Sequence, residues 1–107
     1  MQVNKWSRGR IREWIQGEPE SRLLRTEEQS HVAECISQIV DWYTGAIPTY
    51  LVDDFIVEVL RDSLSRAWGE ADEVNRKALG LYVKFLYNNV GADWRSRAKS
   101  DFGDPEY

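Results

Sequence analysis

Covalent and nucleophilic chemistry has little to work with in this chain. Its 107 residues include one cysteine, Cys35, and one histidine, His31. A single cysteine excludes an internal disulfide, which fits a reducing compartment. His31 and Cys35 stand four apart, but a zinc site needs three or four ligands and no other His or Cys exists. No metal or cofactor is therefore expected, and Cys35 reads as a small hydrophobe. Phosphate loops, dinucleotide fingerprints and nucleophile elbows are missing as well. An Asp-Phe-Gly triplet at 101–103 resembles a kinase element in letters alone, because the glycine-rich and catalytic loops are absent. Catalysis is not expected.

Long apolar runs are lacking too. Nothing approaches the roughly 20 residues of a membrane span, and the opening MQVNKWSRGR offers no apolar core for a secretory signal. A cytoplasmic protein without membrane contact is the expectation. Neither internal repeats nor low-complexity tracts occur, and a chain this long makes about one domain. We take residues 1–107 as a single helical domain, loosely ordered over about 1–5 and 100–107.

What is present is an ordinary globular balance, 42% apolar and 30% charged, enriched by five tryptophans and five tyrosines. So many large rings exceed what a small core covers, which points to some exposed at a partner surface. The net charge of −4 is unevenly spread. Residues 1–25 carry six basic and three acidic side chains, whereas residues 26–90 carry five basic and eleven acidic. Such segregation suggests an interaction arm.

Helical spacing dominates. A short helix is predicted over about 7–16, with Ser7 as N-cap, Gly17 as stop, and Ile11, Trp14 and Ile15 on one face. The Gly-Glu-Pro-Glu-Ser stretch at 17–21 marks a turn. Thr26 and Gln29 form a capping-box pattern, followed by a stripe of Val32, Ile36, Ile39, Val40 and Tyr43, and Gly45 ends that second helix. A third is expected from Pro48 or Thr49 to Trp68, because the apolar pairs 51/52, 55/56 and 59/60 break strand alternation. The fourth runs from about Ala71 to Asn88 and is apolar over more than half its circumference. Beyond it lie a short basic piece, DWRSRAK, and a loose polar tail. The predicted fold is all-α, a small bundle of three long helices and one short one with antiparallel neighbours.

Two segments interleave arginine with tryptophan. In KWSRGRIREW (5–14), Trp6, Arg8, Arg10, Arg12 and Trp14 alternate, and a helix puts Arg10 within reach of Trp14 and Glu13. Trp94, Arg95 and Arg97 repeat the chemistry near the other end, beside Lys99. Brought together, the two would make one basic aromatic patch suited to acidic protein surfaces or single-stranded nucleic acid. Asp54, Glu58 and Asp62 form an acidic file at four-residue spacing, with Arg61 and Arg66 in ion-pair reach, and an acidic face of that kind can dock a basic partner. On the fourth helix, Leu79, Tyr82, Val83, Leu86 and Tyr87 are the candidate dimer interface.

The reading that follows is a non-catalytic protein–protein interaction domain, a small adaptor, assembly factor or inhibitor that homodimerises. The alternative, not favoured, is a nucleic-acid-associated protein gripping its ligand with residues 5–14 and 94–99.

Overall fold

A computed structural model describes residues 6–103. Among these residues every regular element is helical: α1 (Arg8–Gln16), a 3-10 segment Pro19–Leu23, α2 (Thr26–Thr44), a 3-10 segment Thr49–Leu51, α3 (Asp54–Leu60), α4 (Leu64–Glu70), α5 (Glu73–Asn89) and α6 (Trp94–Phe102). The all-α class therefore holds, with six helices in place of the four predicted. The segments 1–5 and 104–107, taken as loose, lie outside the described residues.

Local chemistry sets most boundaries. Ser7 caps α1 as anticipated, its hydroxyl oxygen accepting the Arg10 N–H at 3.3 Å. The start of α2 shifts by one residue from the Thr26/Gln29 expectation. Arg25 is the N-cap, and the Glu28 carboxylate reaches back to its N–H at 2.9 Å. Gln29 instead donates its amide to the carbonyls of Ser21 and Leu24, both at 3.4 Å. Gly45 closes α2 at φ 79, with the Ala46 N–H on the Asp41 carbonyl and the Gly45 N–H on Trp42. That is a Schellman ending, where glycine takes the left-handed position at little cost.

The third predicted helix is a correction: it breaks into three pieces. Asp53 caps α3, accepting the Phe55 N–H at 3.3 Å, so Thr49–Leu51 is left as a separate turn. At the other end Asp62 adopts φ 62, the Asp62 N–H bonds the Val59 carbonyl, and the Ser63 N–H bonds that of Glu58. This is the same Schellman ending as at Gly45, made with aspartate, which tolerates the left-handed region better than most residues. Ser63 then precedes α4.

The second correction is α6. The stretch predicted as a basic piece and a loose tail is helical through Phe102. Trp94 and Ala98 are buried, and Phe102 packs on the core. Gly91 lets this element come close, since a Cβ there would lie 2.9 Å from Cζ of Tyr43.

α2 is the hub, packing against α1, α3 and α5, while α6 packs on α3. Ile36, Ile39, Phe55, Ile56, Leu81, Tyr82, Phe85 and Leu86 fill the interior. Within it runs a small polar chain. Tyr82 donates to Oδ1 of Asn75 at 2.5 Å, and the Cys35 thiol reaches the same oxygen at 3.8 Å. Among the described residues no helix is long and apolar enough to cross a membrane.

Ion pairs tie the N-terminal turn and α2 to α5, and they set the pH dependence. Lys77 reaches Glu28 at 3.1 Å, and Lys84 bridges Glu20 at 2.7 Å and Glu18 at 3.3 Å. The Arg25 N–H and Lys77 hold the Glu28 carboxyl below its ordinary range, and Lys84 does the same for Glu20. Burial pushes the Cys35 thiol and the Tyr82 hydroxyl up. A depressed carboxyl stabilises the fold fully above its unfolded pKa of about 4.3, and loses that contribution as pH falls through the lower folded value. A raised acid gives the opposite side: stability declines once pH exceeds the unfolded values of about 8.5 for the thiol and about 10 for the phenol. Urea midpoints should therefore form a plateau between about pH 5 and 8.5 and fall on both flanks. Glu28→Gln should lower the plateau and flatten the acid flank. A midpoint that rises on acidification would contradict these pairings.

Candidate interaction surface

Most of the large rings are spent on the interior, so those left outside stand out. Trp68 is 51% exposed, Tyr87 57% and Val83 38%. On α5, Arg76, Leu79, Val83 and Tyr87 follow at spacings of three and four, which places them along one edge of the helix. Leu79 and Val83 form one wall of a shallow cleft completed by Val59, Asp62, Ser63 and Ala67. Both ends of the strip are finished by an arginine over a ring. The Arg76 guanidinium lies 5.4 Å from the Trp68 ring centre and its Nε donates to the Trp68 carbonyl at 3.2 Å. At the far end Arg95 lies 5.0 Å over Tyr87 and pairs with Asp62 at 3.1 Å. Stacking of this kind fixes long cations in place and keeps the apolar strip between them clear.

The cleft floor carries an unspent polar group. Ser63 is 1% exposed, and its hydroxyl has no hydrogen-bond partner among the described residues. The leftover hydroxyl belongs to the Schellman break, which the sequence reading missed.

The predicted dimer candidates divide. Leu79, Val83 and Tyr87 reach the surface, but Tyr82 is 0% and Leu86 1% exposed. Tyr82 and Leu86 are therefore corrected: they face Phe55, Asn75 and the core and offer nothing to a partner. The apolar circumference of α5 is largely consumed within the chain, on one side by Trp6 and Trp14, whose rings meet Phe85 edge-on.

The two basic segments do not pool. Phe85, which receives Trp6 and Trp14, and Tyr87, which receives Trp94, are two residues apart on α5 and so point about 200° from one another. Arg8 pairs with Glu34 on α2. Arg10 stacks on Trp6 at 5.3 Å, not on Trp14. Arg12 sits half-buried on α1. Trp94 is buried, and Arg97 covers Tyr43 at 4.2 Å near the end of α2. Stacking and pairing within the fold thus occupy most of the cations.

The acidic file fails for a simpler reason: the helix that would align it ends at Leu60. Asp54 is exposed near the start of α3. Glu58 and Arg61 pair at 3.2 Å with side chains only 13% and 14% exposed. Asp62, beyond the break, pairs with Arg95. Asp54 and Glu58 share a face of α3, and only Asp62 lies past the end of that helix.

One grouping looks catalytic at first sight. His31 lies 3.9 Å from Cys35 and 3.5 Å from Asp72. Both approaches use Nε2, whereas a relay needs the acid on one ring nitrogen and the nucleophile on the other. Burial raises the thiol, the reverse of an activated cysteine. Among the described residues no three His, Cys, Asp or Glu side chains are placed to hold one metal ion. A second recess lies between Arg8, Glu34, Gln38, Asp41 and Leu51, but polar side chains dominate it.

Compared with protein-family models, characterised proteins and solved structures, the chain has no significant match.

Proposed function

We propose that this chain is a non-catalytic protein–protein interaction domain, working in the cytoplasm as an adaptor, assembly factor or inhibitor, with the α4–α5 face as its contact surface. One observation carries this reading. Trp68 on α4 and Leu79, Val83 and Tyr87 on α5 leave apolar side chains open beside a cleft, with cations stacked at both ends, while most other described rings are packed in or against the core. Interfaces favour this composition, an aromatic and aliphatic centre with arginine at its margin. Self-association through Leu79, Val83 and Tyr87 is part of the proposal. The nucleic-acid alternative gains no observation of its own.

Site-specific photocrosslinking tests the reading. A benzophenone side chain placed at Val83 or Tyr87 should yield discrete adducts in the native host, whether with a second copy or with another protein. The same group at Tyr50, more exposed than either but outside the strip, should yield none. Adducts at Tyr50 alone, or at none of the three, would overturn the assignment.

A further inference from the structure

Helix α4 is the least secured element of the fold. It has seven residues, Leu64–Glu70, too few to stay helical without support from the rest of the chain. Ser63 stands at its N-cap, but the side chain makes no capping bond. Arg66 lies in the first turn and Glu70 at the end, the reverse of what the helix dipole favours. Gly69 weakens the interior further, and packing does not require it, since a Cβ at that position would meet no atom within 4 Å. Among the described side chains of α4 only Ala67 is buried, with Ala71 following at the C-cap. The Arg76 stack on Trp68 links α4 to α5, and it is made at the surface.

The joint before α4 opposes docking. Asp62 is the one non-glycine among the described residues with positive φ, a conformation that costs free energy even though aspartate lowers the cost. The Ser63 hydroxyl behind it is buried without a partner among the described residues, so the docked state forfeits that group's bonds to water. Release of α4 relaxes both. Firm anchors stand on either side. Phe55, Ile56, Val59 and Leu60 hold α3 in the core, and Asp72 caps α5 by accepting the Asn75 N–H at 2.8 Å. The segment between can therefore leave without unfolding its neighbours.

We infer that α4 is a flap, hinged at Asp62–Ser63 and at Ala71–Asp72, that undocks while α3 and α5 stay in place and so takes the contact face apart. Undocking carries Trp68 away from Arg76 and removes the Ala67 side of the cleft from Leu79 and Val83. This control of the face rests on the interaction reading above, whereas the flap itself rests on the geometry of α4. Openings of this kind come from the least stable part of a fold, and hydrogen exchange reads them.

Native-state hydrogen exchange on the full chain tests the flap. Amides 67–71 should exchange as a group, about 100-fold or more faster than those of 81–86 in α5. Ser63→Ala deletes the unpartnered hydroxyl and Gly69→Ala strengthens the helix, so each should slow 67–71 by about threefold or more. Ile36→Val, at a fully buried position of α2, should quicken 81–86 and leave 67–71 unchanged, because Ile36 stays packed whether or not the flap is docked. Exchange of 67–71 in step with 81–86, or its acceleration by Ile36→Val, overturns the inference, as does indifference to both alanine substitutions. For the contact face, Ala67→Lys puts a long side chain where the methyl is 1% exposed and holds the flap off. A benzophenone at Tyr87 should then give adducts reduced about tenfold, with 81–86 still protected. Undiminished adducts would overturn the control of the face and leave the interaction reading standing. No adducts even without Ala67→Lys would overturn the interaction reading, and exchange would still decide the flap.

Discussion

Phe85→Ala should lower the unfolding free energy by about 3–5 kcal/mol, the usual range for deleting a buried phenyl ring. That is a large part of the roughly 5–15 kcal/mol a domain of this size holds in total. Phe85 is fully buried and receives two indole edges, Trp6 at 5.1 Å and Trp14 at 5.2 Å, with interplanar angles of 71° and 80°. Each edge-to-face pair adds about 0.5–1.5 kcal/mol beyond the area it buries. The truncation removes the ring and both pairs together, and it withdraws the anchor of α1, whose remaining buried contacts come from Ile11 and Ile15. Urea unfolding measures the loss, and indole emission should shift to longer wavelength in the folded state as Trp6 and Trp14 gain water. The control is Tyr87→Ala, two residues along the same helix. Tyr87 faces solvent, so its removal should cost under about 1 kcal/mol. Equal costs at the two positions would mean that the covered and open faces of α5 have been assigned the wrong way round.

That difference between Phe85 and Tyr87 also marks where sequence patterning runs out. Three- and four-residue spacing was enough to place α2, since Val32, Ile36, Ile39 and Val40 are buried as the stripe implies. Ser7 and Gly45 act as the caps their chemistry suggests. In α5, however, apolar residues lie on most sides, and spacing alone does not say which side another part of the chain will cover. The rings that decide it, Trp6 and Trp14, arrive from some 70 residues away. Spacing therefore groups Tyr82 and Leu86 with Val83 and Tyr87, though only the latter pair reaches solvent. The break in the third helix was hidden by a second ambiguity. Glycine is the usual helix stop, and Asp62 fills the left-handed position without one. Asp-Ser at 62–63, a pair suited to ending one helix and beginning the next, was the available signal. Because that break was missed, the Ser63 hydroxyl and the cleft it lines went unseen, as did the dispersal of Asp54, Glu58 and Asp62. In α6 the signal existed but was thin. Trp94, Ala98 and Phe102 repeat every four residues among charges, which is a narrow apolar stripe and nothing more.

The attachment of α6 gives the second large effect. Trp42 is 3% exposed, and its Nε1–H donates to Asp101 at 2.8 Å while its ring lies 5.9 Å from that of Phe102. Next to it Tyr43 donates to Asp93 and lies under Arg97. The end of α2 thus grips α6 near both termini, Tyr43 at the first turn and Trp42 at the last. Trp42→Ala should cost about 3–5 kcal/mol, because it opens a large cavity and frees Phe102 at once. Trp42→Phe keeps a ring against Phe102 and loses the N–H. Since Asp101 is exposed and can rehydrate, that change should cost only about 0.5–1.5 kcal/mol. Hydrogen exchange separates local from global loss. In Trp42→Ala the amides of 97–103 should exchange far faster than those of α2, whose other buried residues still pack on α1, α3 and α5. The effect should carry to the contact surface, because α6 also holds Arg95 over Tyr87 and opposite Asp62. A detached α6 leaves Tyr87 uncovered and Arg95 unplaced, so self-association should weaken in Trp42→Ala and persist in Trp42→Phe. Unchanged protection of α6 amides in the alanine variant would show that Trp42 is not what holds this helix, and would remove the link between the end of α2 and the α4–α5 face.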